Sequence, residues 1–572
     1  MAIGSSQEDF AGRRSGPDEP LLSNGTGLFE LRNRPRRNVP WLVAYLVVLA
    51  TALGGGVFAF LHRNTRYADL TSHGLGDPTL CPITATTHSA RRLLQQGPDA
   101  PTPFDLDLFM RAAGAWVGAS VGGAILVGLL FIWLVRVSPA GLVAVALALQ
   151  VAVPASMGVV ALTQRVWAAG AVLLALAGLM VLLFMLWKPQ IELVTRLLGL
   201  AGRGLSANPG LVPLALGLQL GLVGLLELPL LMAAIAAAMN GTLVYNTDRV
   251  DRGSATAAEQ CLDADGGQVP CCEWQTEPWV PAYLAFAFVA MTWSLFLAFQ
   301  IKMFTVAGAT AQWYFQSASA SAASGSGSGG GGTGRYRSRT LTSLRFAVGP
   351  SLGSLCLGSA VLTLVSMVRQ AMEKARREHG QNLIAACAAA CLSLLLALVE
   401  FVTRFATVRA AITGEAFMDA GRNVVALLTR NAMDAFGVWW LPPMILQSCS
   451  FLLALSWSVT VFLSSYATTW SHQAAASAQQ ATASAAITAV VGFLAAWAVL
   501  GFLASLLLNV IDSLFVCFAM DRDIGQVSSL DVHTVMSKLP TVGAVVQQPD
   551  GGLVYGAPQE QRGLLRGSES RV

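Results

Sequence analysis

Long apolar stretches bounded by polar residues set the pattern of this chain. Ten of them fall near 39–61, 112–135, 139–162, 166–187, 211–239, 280–306, 344–368, 383–402, 444–466 and 485–510. Each reaches the roughly 20 residues that a helix needs to cross a bilayer. The pattern predicts an all-α polytopic membrane protein of about ten transmembrane helices. Between the fourth and fifth runs, residues 191–200 alternate at helical period, with Glu192, Arg196 and Arg203 as polar markers. That spacing predicts one interfacial amphipathic helix. Residues 383–431 admit three readings: one long bent helix, a span plus an interfacial helix, or two spans.

The polar joints supply an orientation. Residues 1–38 are rich in Gly, Pro and charge, and Arg32, Arg34, Arg36 and Arg37 precede the first run. They read as a disordered cytoplasmic N-terminal tail, with no cleavable leader. Asp18-Glu-Pro-Leu-Leu22 reads either as an acidic dileucine sorting signal or as a chance pair in a solvated tail. An even span count then places both termini inside. The transmembrane domain is expected over 39–520, with loops 62–111 and 240–279 outside or luminal. A Ser/Gly-rich cytoplasmic linker covers 316–343 and ends in Arg335, Arg337 and Arg339; a cytoplasmic tail covers 521–572. Against the positive-inside tendency, Arg369, Lys374, Arg376 and Arg377 then lie outside.

Composition narrows the class. At 54% hydrophobic and 12% charged residues, with mean hydropathy +0.58, the chain exceeds the apolar content of soluble domains. Its net charge of +4 sits mostly at span ends, which gives nucleic-acid binding no support. Cys356, Cys387, Cys391, Cys449 and Cys517 lie in or beside apolar runs and read as small hydrophobes. Cys81, Cys261, Cys271 and Cys272 lie in polar loops and are disulfide candidates, with three pairings open. Asn240-Gly-Thr242 matches a glycosylation acceptor. No GxxxxGK[ST] or HExxH motif occurs, and the six His residues fall in loops or tails, so neither an enzyme nor a cofactor is expected.

One polar stretch stands out beside the apolar runs: residues 410–431 carry Glu415, Asp419, Arg422, Asn423, Arg430 and Asn431. It resembles the choline-transporter-like family of solute carriers, whose pattern there runs A-I-x-G-x-x-F-C-x-S-A-R-x-A-x-x-L-L-x-R-N. Ala411, Ile412, Gly414, Phe417, Arg422, Leu427, Leu428, Arg430 and Asn431 match in register. Two further segments follow the family's order. Residues 306–315 resemble A-G-x-x-x-x-W-Y-F, and residues 511–521 resemble D-T-x-x-x-C-F-x-x-D. Met418 and Ala420 depart from the family's Cys and Ser, and Arg409 stands at a usually apolar position. The resemblance implies a secondary transporter of choline or a similar small organic cation, in the plasma membrane or an endomembrane. The alternative is a structural or lipid-regulating membrane protein of the same fold.

Several residues are candidates for substrate binding or coupling. Glu227 lies deep in the fifth run, so its charge must be paired, hydrated or neutralised; it is either functional or bonded near Pro229. A quaternary ammonium needs aromatic faces and diffuse negative charge, which brings in the mid-span Trp293, Trp457 and Trp497, with packing as the competing role. Glu415, Asp419 and Arg422, at spacings of four and three, are expected to share a helical face as an ion-pair ladder, mobile or static. Asp512, three residues from Asn509, admits the same two readings. Gln300 and Lys302 point about 200° apart on a helix and so serve different environments.

Overall fold

The computed structural model describes residues 34–64, 67, 106–245, 272–322, 332–378, 383–430, 432–472, 478–524, 527–536, 545–547 and 553–555. Among them, ten helices are long and apolar enough to cross a membrane, which makes the protein an all-α polytopic membrane protein. In chain order the helices are α1 (Val39–Leu61), α2 (Leu106–Val137), α3 (Pro139–Thr163), α4 (Trp167–Leu186), α5 (Lys188–Ala207), α6 (Leu211–Ala238), α7 (Val280–Ala322), α8 (Gly332–Val348), α9 (Leu352–Glu378), α10 (Leu383–Thr413), α11 (Phe417–Arg430), α12 (Ala432–His472), α13 (Ala478–Ile524) and α14 (Leu530–Met536). All but α5, α8, α11 and α14 contain a candidate span.

Strand pairing is peripheral. β1 (Gly241–Tyr245) and β2 (Cys272–Thr276) form an antiparallel pair with Gly241 opposite Thr276, and β3 (Val545–Gln547) pairs with β4 (Leu553–Tyr555).

The two ends of the bundle are defined by what meets there. At the basal end, where α1 begins, the Arg37 N–H donates to Pro350 O at 3.3 Å and Asn38 Nδ2 to Ser354 Oγ at 3.0 Å. At the distal end, the Asn64 N–H donates to Met239 O and Phe58 packs edge-on against Trp279. Small residues let the helices of this half approach closely. Gly55 and Gly56 of α1 face Tyr283 of α7 and Ala233 of α6, leaving no room for a side chain. Such contacts are a main source of helix association in a bilayer, where apolar burial from water no longer drives it.

The interfacial helix expected at 191–200 is the core of α5. Its Val194, Leu197, Leu198, Ala201 and Leu205 are buried, while Glu192 and Arg196 pair in the open at 2.6 Å. A second amphipathic helix accompanies it. The chain of α10 breaks at Gly414, whose φ of +75° is the left-handed geometry that closes a helix C-terminus. It restarts as α11, which buries Phe417, Ala420, Val424 and Leu427 at helical spacing. Region 383–431 is therefore a span plus a separate amphipathic helix, and the count of one such helix rises to two.

The tails are not wholly free of the bundle. Arg34, expected in a disordered segment, is buried; it donates to the carbonyls of Ala411 at 3.0 Å and Ile412 at 2.9 Å and lies 4.6 Å from the Phe346 ring. Those carbonyls close α10 and have no intrahelical donor, so a cation there satisfies them and complements the helix dipole. At the other terminus, α14 buries Val532, His533 and Met536 against the base.

Candidate functional site

A buried aromatic and polar cluster lies where α1, α6, α7 and α9 meet. Tyr45 of α1 hydrogen-bonds Ser294 Oγ of α7 at 3.0 Å, and its ring meets Trp293 edge-on at 5.5 Å. Trp293 Nε1 donates to Cys356 O and Ser359 Oγ of α9, both at 3.1 Å. The indole is thus held by its edge, which fixes its orientation. Glu227 of α6 lies within electrostatic reach of the Tyr45 phenol, and its Oε1 is buried with no hydrogen-bond partner among the described residues. An aromatic pair and an unsatisfied carboxyl oxygen inside apolar helices form an environment suited to a soft cation.

Seven residues along α7 from Trp293, two turns closer to the base, Gln300 is buried with neither amide atom hydrogen-bonded among the described residues. Gly358 makes space for it: a Cβ there would sit 3.4 Å from Gln300 Nε2 and 2.9 Å from the Phe417 ring. Gln300 therefore faces α9 and α11. Lys302 faces the other way, toward α13, where its Nζ donates to Ser505 Oγ at 3.3 Å. The opposed directions read from the sequence are those observed.

Closer to the base, the polar groups are paired. Arg404 of α10 pairs with the buried Asp512 of α13. Arg409 is fully buried and grips Glu415 through Nε at 3.1 Å and Nη2 at 3.2 Å, and Asn423 Nδ2 donates to the same carboxylate at 3.1 Å. Tyr314, Asp521 and His533 form a buried triad: tyrosine to aspartate 2.8 Å, tyrosine to histidine 2.9 Å, histidine to aspartate 3.1 Å. Ser528 adds two donors to Asp521, at 2.9 and 3.0 Å. These pairs make a polar floor beneath the aromatic cluster.

The structure sorts the sequence candidates. Of the three mid-span tryptophans, only Trp293 joins the cluster. Trp457 donates to Ser120 O at 3.1 Å and covers Gly123, bolting α12 to α2. Trp497 is half exposed and stacks on Phe493 at the outer face of α13. The proposed ladder of Glu415, Asp419 and Arg422 does not form. Glu415 lies in the break before α11 and turns to Arg409, while Asp419 and Arg422 are exposed and no ion pair joins them among the described residues. Asp512, read beside Asn509, meets Arg404 of α10. Asn240 is buried, and its Nδ2 donates to Ala59 O at 2.9 Å and Ala236 O at 2.7 Å. Both amide hydrogens are spent on tying α1 to α6, where a glycan acceptor needs an open amide. Cys81, Cys261 and Cys271 lie outside the described residues, and Cys272 is described only as a backbone position of β2.

Sequence reading missed Tyr45, Ser294, Arg404 and the burial of His533. A tyrosine and a serine in an apolar run are common enough to pass unnoticed. His533 was grouped with the tails because only the docking of α14 buries it. Arg404, a cation just past the run at 383–402, was the available signal.

Comparison with known proteins bears on these elements. A sequence model described as plasma-membrane choline transporter matches residues 171–523, which take in α6, α7, α9, α10 and most of α13. A relative from Gibberella zeae, Protein PNS1, is 25% identical over 312 residues, 53% of this chain. The matched part is 51% of PNS1, so the chain spans about half the length of that curated relative.

Proposed function

Since the chain belongs to the plasma-membrane choline transporter family, we propose that it carries choline or a related small organic cation across a membrane by alternating access, and that the cluster around Trp293 receives the cation. The observation that carries this reading is the buried pairing of Tyr45 with Trp293, with the unsatisfied Oε1 of the half-buried Glu227 within electrostatic reach of the Tyr45 phenol. A quaternary ammonium forms no conventional hydrogen bond, so its affinity must come from ring faces and a diffuse negative field. Each such ring contact contributes roughly 0.5–2 kcal/mol. Glu227 supplies the field without quenching it in an ion pair. Gln300 offers a free carbonyl on the next station toward the base.

In this reading the paired floor closes the path on the basal side, and the basal end faces the cytoplasm because the arginines before α1 gather there. Opening requires the Arg404–Asp512 and Arg409–Glu415 pairs to rearrange, and the Gly414 break gives α11 a point about which to move. The experiment is flux of radiolabelled choline into proteoliposomes holding the purified chain. Saturable uptake is expected, with an apparent affinity that weakens in Trp293→Ala at equal protein content. Flux no greater than in empty vesicles, from correctly folded protein, would place the chain among family members with a structural or lipid-regulating role.

A further inference from the structure

The helices α3, α12 and α13 border an open cavity of about 1040 Å³. That is the upper end of the roughly 300–1,000 Å³ typical of ligand sites. Leu494, Trp497 and Phe451 line it with apolar surface, and Ser450 and Ser505 add hydroxyls. Ser505 lies eight residues along α13 from Trp497, about two turns nearer the base. Two polar groups at this wall are undersupplied. Ser450 Oγ is buried with no hydrogen-bond partner among the described residues. Behind Ser505 stands Lys302, buried, whose Nζ has that one hydroxyl at 3.3 Å and the rings of Phe299 and Phe502 at 5.1 and 5.4 Å. No carboxylate pairs with Lys302 among the described residues. A buried ammonium so weakly compensated is costly inside a membrane.

We propose that this cavity binds an anionic phospholipid of the basal leaflet, its acyl chain along Phe451 and Trp497 and its acidic headgroup drawn to Lys302 at Ser505. The charge complementarity chooses the occupant. A neutral solute leaves the ammonium uncompensated, and a zwitterionic lipid brings a second cation with its phosphate, whereas an acid headgroup supplies net negative charge. With the basal end toward the cytoplasm, the facing leaflet is also the one that carries anionic lipids. The site is separate from the aromatic cluster, since Lys302 and Gln300 leave α7 in opposing directions.

Native mass spectrometry of the purified full chain, mixed with phosphatidylglycerol and phosphatidylcholine of identical acyl chains, tests the assignment. The unmodified protein is expected to retain phosphatidylglycerol preferentially. Lys302→Gln should lower that retention about fivefold, the effect of one charge near a membrane surface, and Lys302→Arg should restore most of it. Gly501→Leu fills the cavity from a position where an added Cβ meets nothing within 4 Å, so it tests the site even if Lys302→Gln fails to fold. It should reduce retention of both lipids. Equal retention of the two lipids by the unmodified protein, or phosphatidylglycerol retention untouched by Gly501→Leu, would each overturn the proposal. Choline flux does not enter the readout, so this result stands apart from the transport reading.

Discussion

The Tyr314 hydroxyl donates to Asp521 Oδ2 at 2.8 Å, joining α7 to the end of α13 across 207 residues of sequence. Asp521 also receives Ser528 and lies 3.1 Å from His533, so one buried carboxylate organises the whole return of the chain onto the base. Asp521→Ala removes the common acceptor and orphans several donors, at about 1–3 kcal/mol each. The expected result is a clear fall in unfolding temperature in detergent and faster proteolysis near residue 526. Tyr314→Phe, which leaves the Ser528 bonds in place, should fall between this variant and the native chain. Equal stability of all three would show the triad to be incidental.

Trp293 separates ring contact from hydrogen bonding. Trp293→Phe keeps an aromatic face but loses the bonds to Cys356 O and Ser359 Oγ, so the ring is less well oriented. Trp293→Ala loses both. Apparent affinity for choline should weaken roughly 2–30-fold in the alanine variant, the span of one cation–π contact, and less in the phenylalanine variant. Matched affinities in all three proteins would remove Trp293 from the site.

Glu227→Gln keeps size and hydrogen-bonding capacity while deleting the charge. Uptake should drop with no loss of folded protein by size-exclusion chromatography, because the Oε1 atom has no bond to break. If uptake stays normal, Glu227 is a polar residue tolerated in α6 and the field near Tyr45 has another origin.

Charge pairs near α11 give a discriminating comparison. Arg409 and Glu415 interact directly at 3.1 Å, so Arg409→Ala, Glu415→Gln and their combination should be non-additive by about 0.5–3 kcal/mol. Asp419 and Arg422 are exposed and unjoined, so the corresponding cycle should be additive within about 0.5 kcal/mol. Thermal unfolding of the seven proteins, the native chain being common to the two cycles, decides both. Strong coupling in the second cycle would mean that the two side chains meet in another state of the transport cycle.

The spans were legible because a bilayer imposes a length and a polarity that can be read one residue at a time: the run at 39–61 is α1 itself. Ends were less legible. The runs at 280–306 and 485–510 belong to helices that continue to Ala322 and Ile524 through polar residues such as Gln312 and Asp521, which other helices bury. Site geometry was hardest. Period and spacing place Asp419 and Arg422 on one face, but they cannot show that Glu415 stops short of the helix and turns to Arg409. Likewise, Trp293, Trp457 and Trp497 look alike in sequence, and only the packing of neighbouring helices gives each its role.

The grip of Arg34 on the end of α10 also sets an order of events in time. Its acceptors lie 376–378 residues further along the chain. At about 5–20 residues per second of synthesis, roughly 20–75 s separate the appearance of the guanidinium from that of the carbonyls. During that interval Arg34 has none of these acceptors, and α1 must enter the membrane without that contact. Docking of Arg34 therefore reports that α9 and α10 are already in place, and the strap works as a late seal on an assembled bundle.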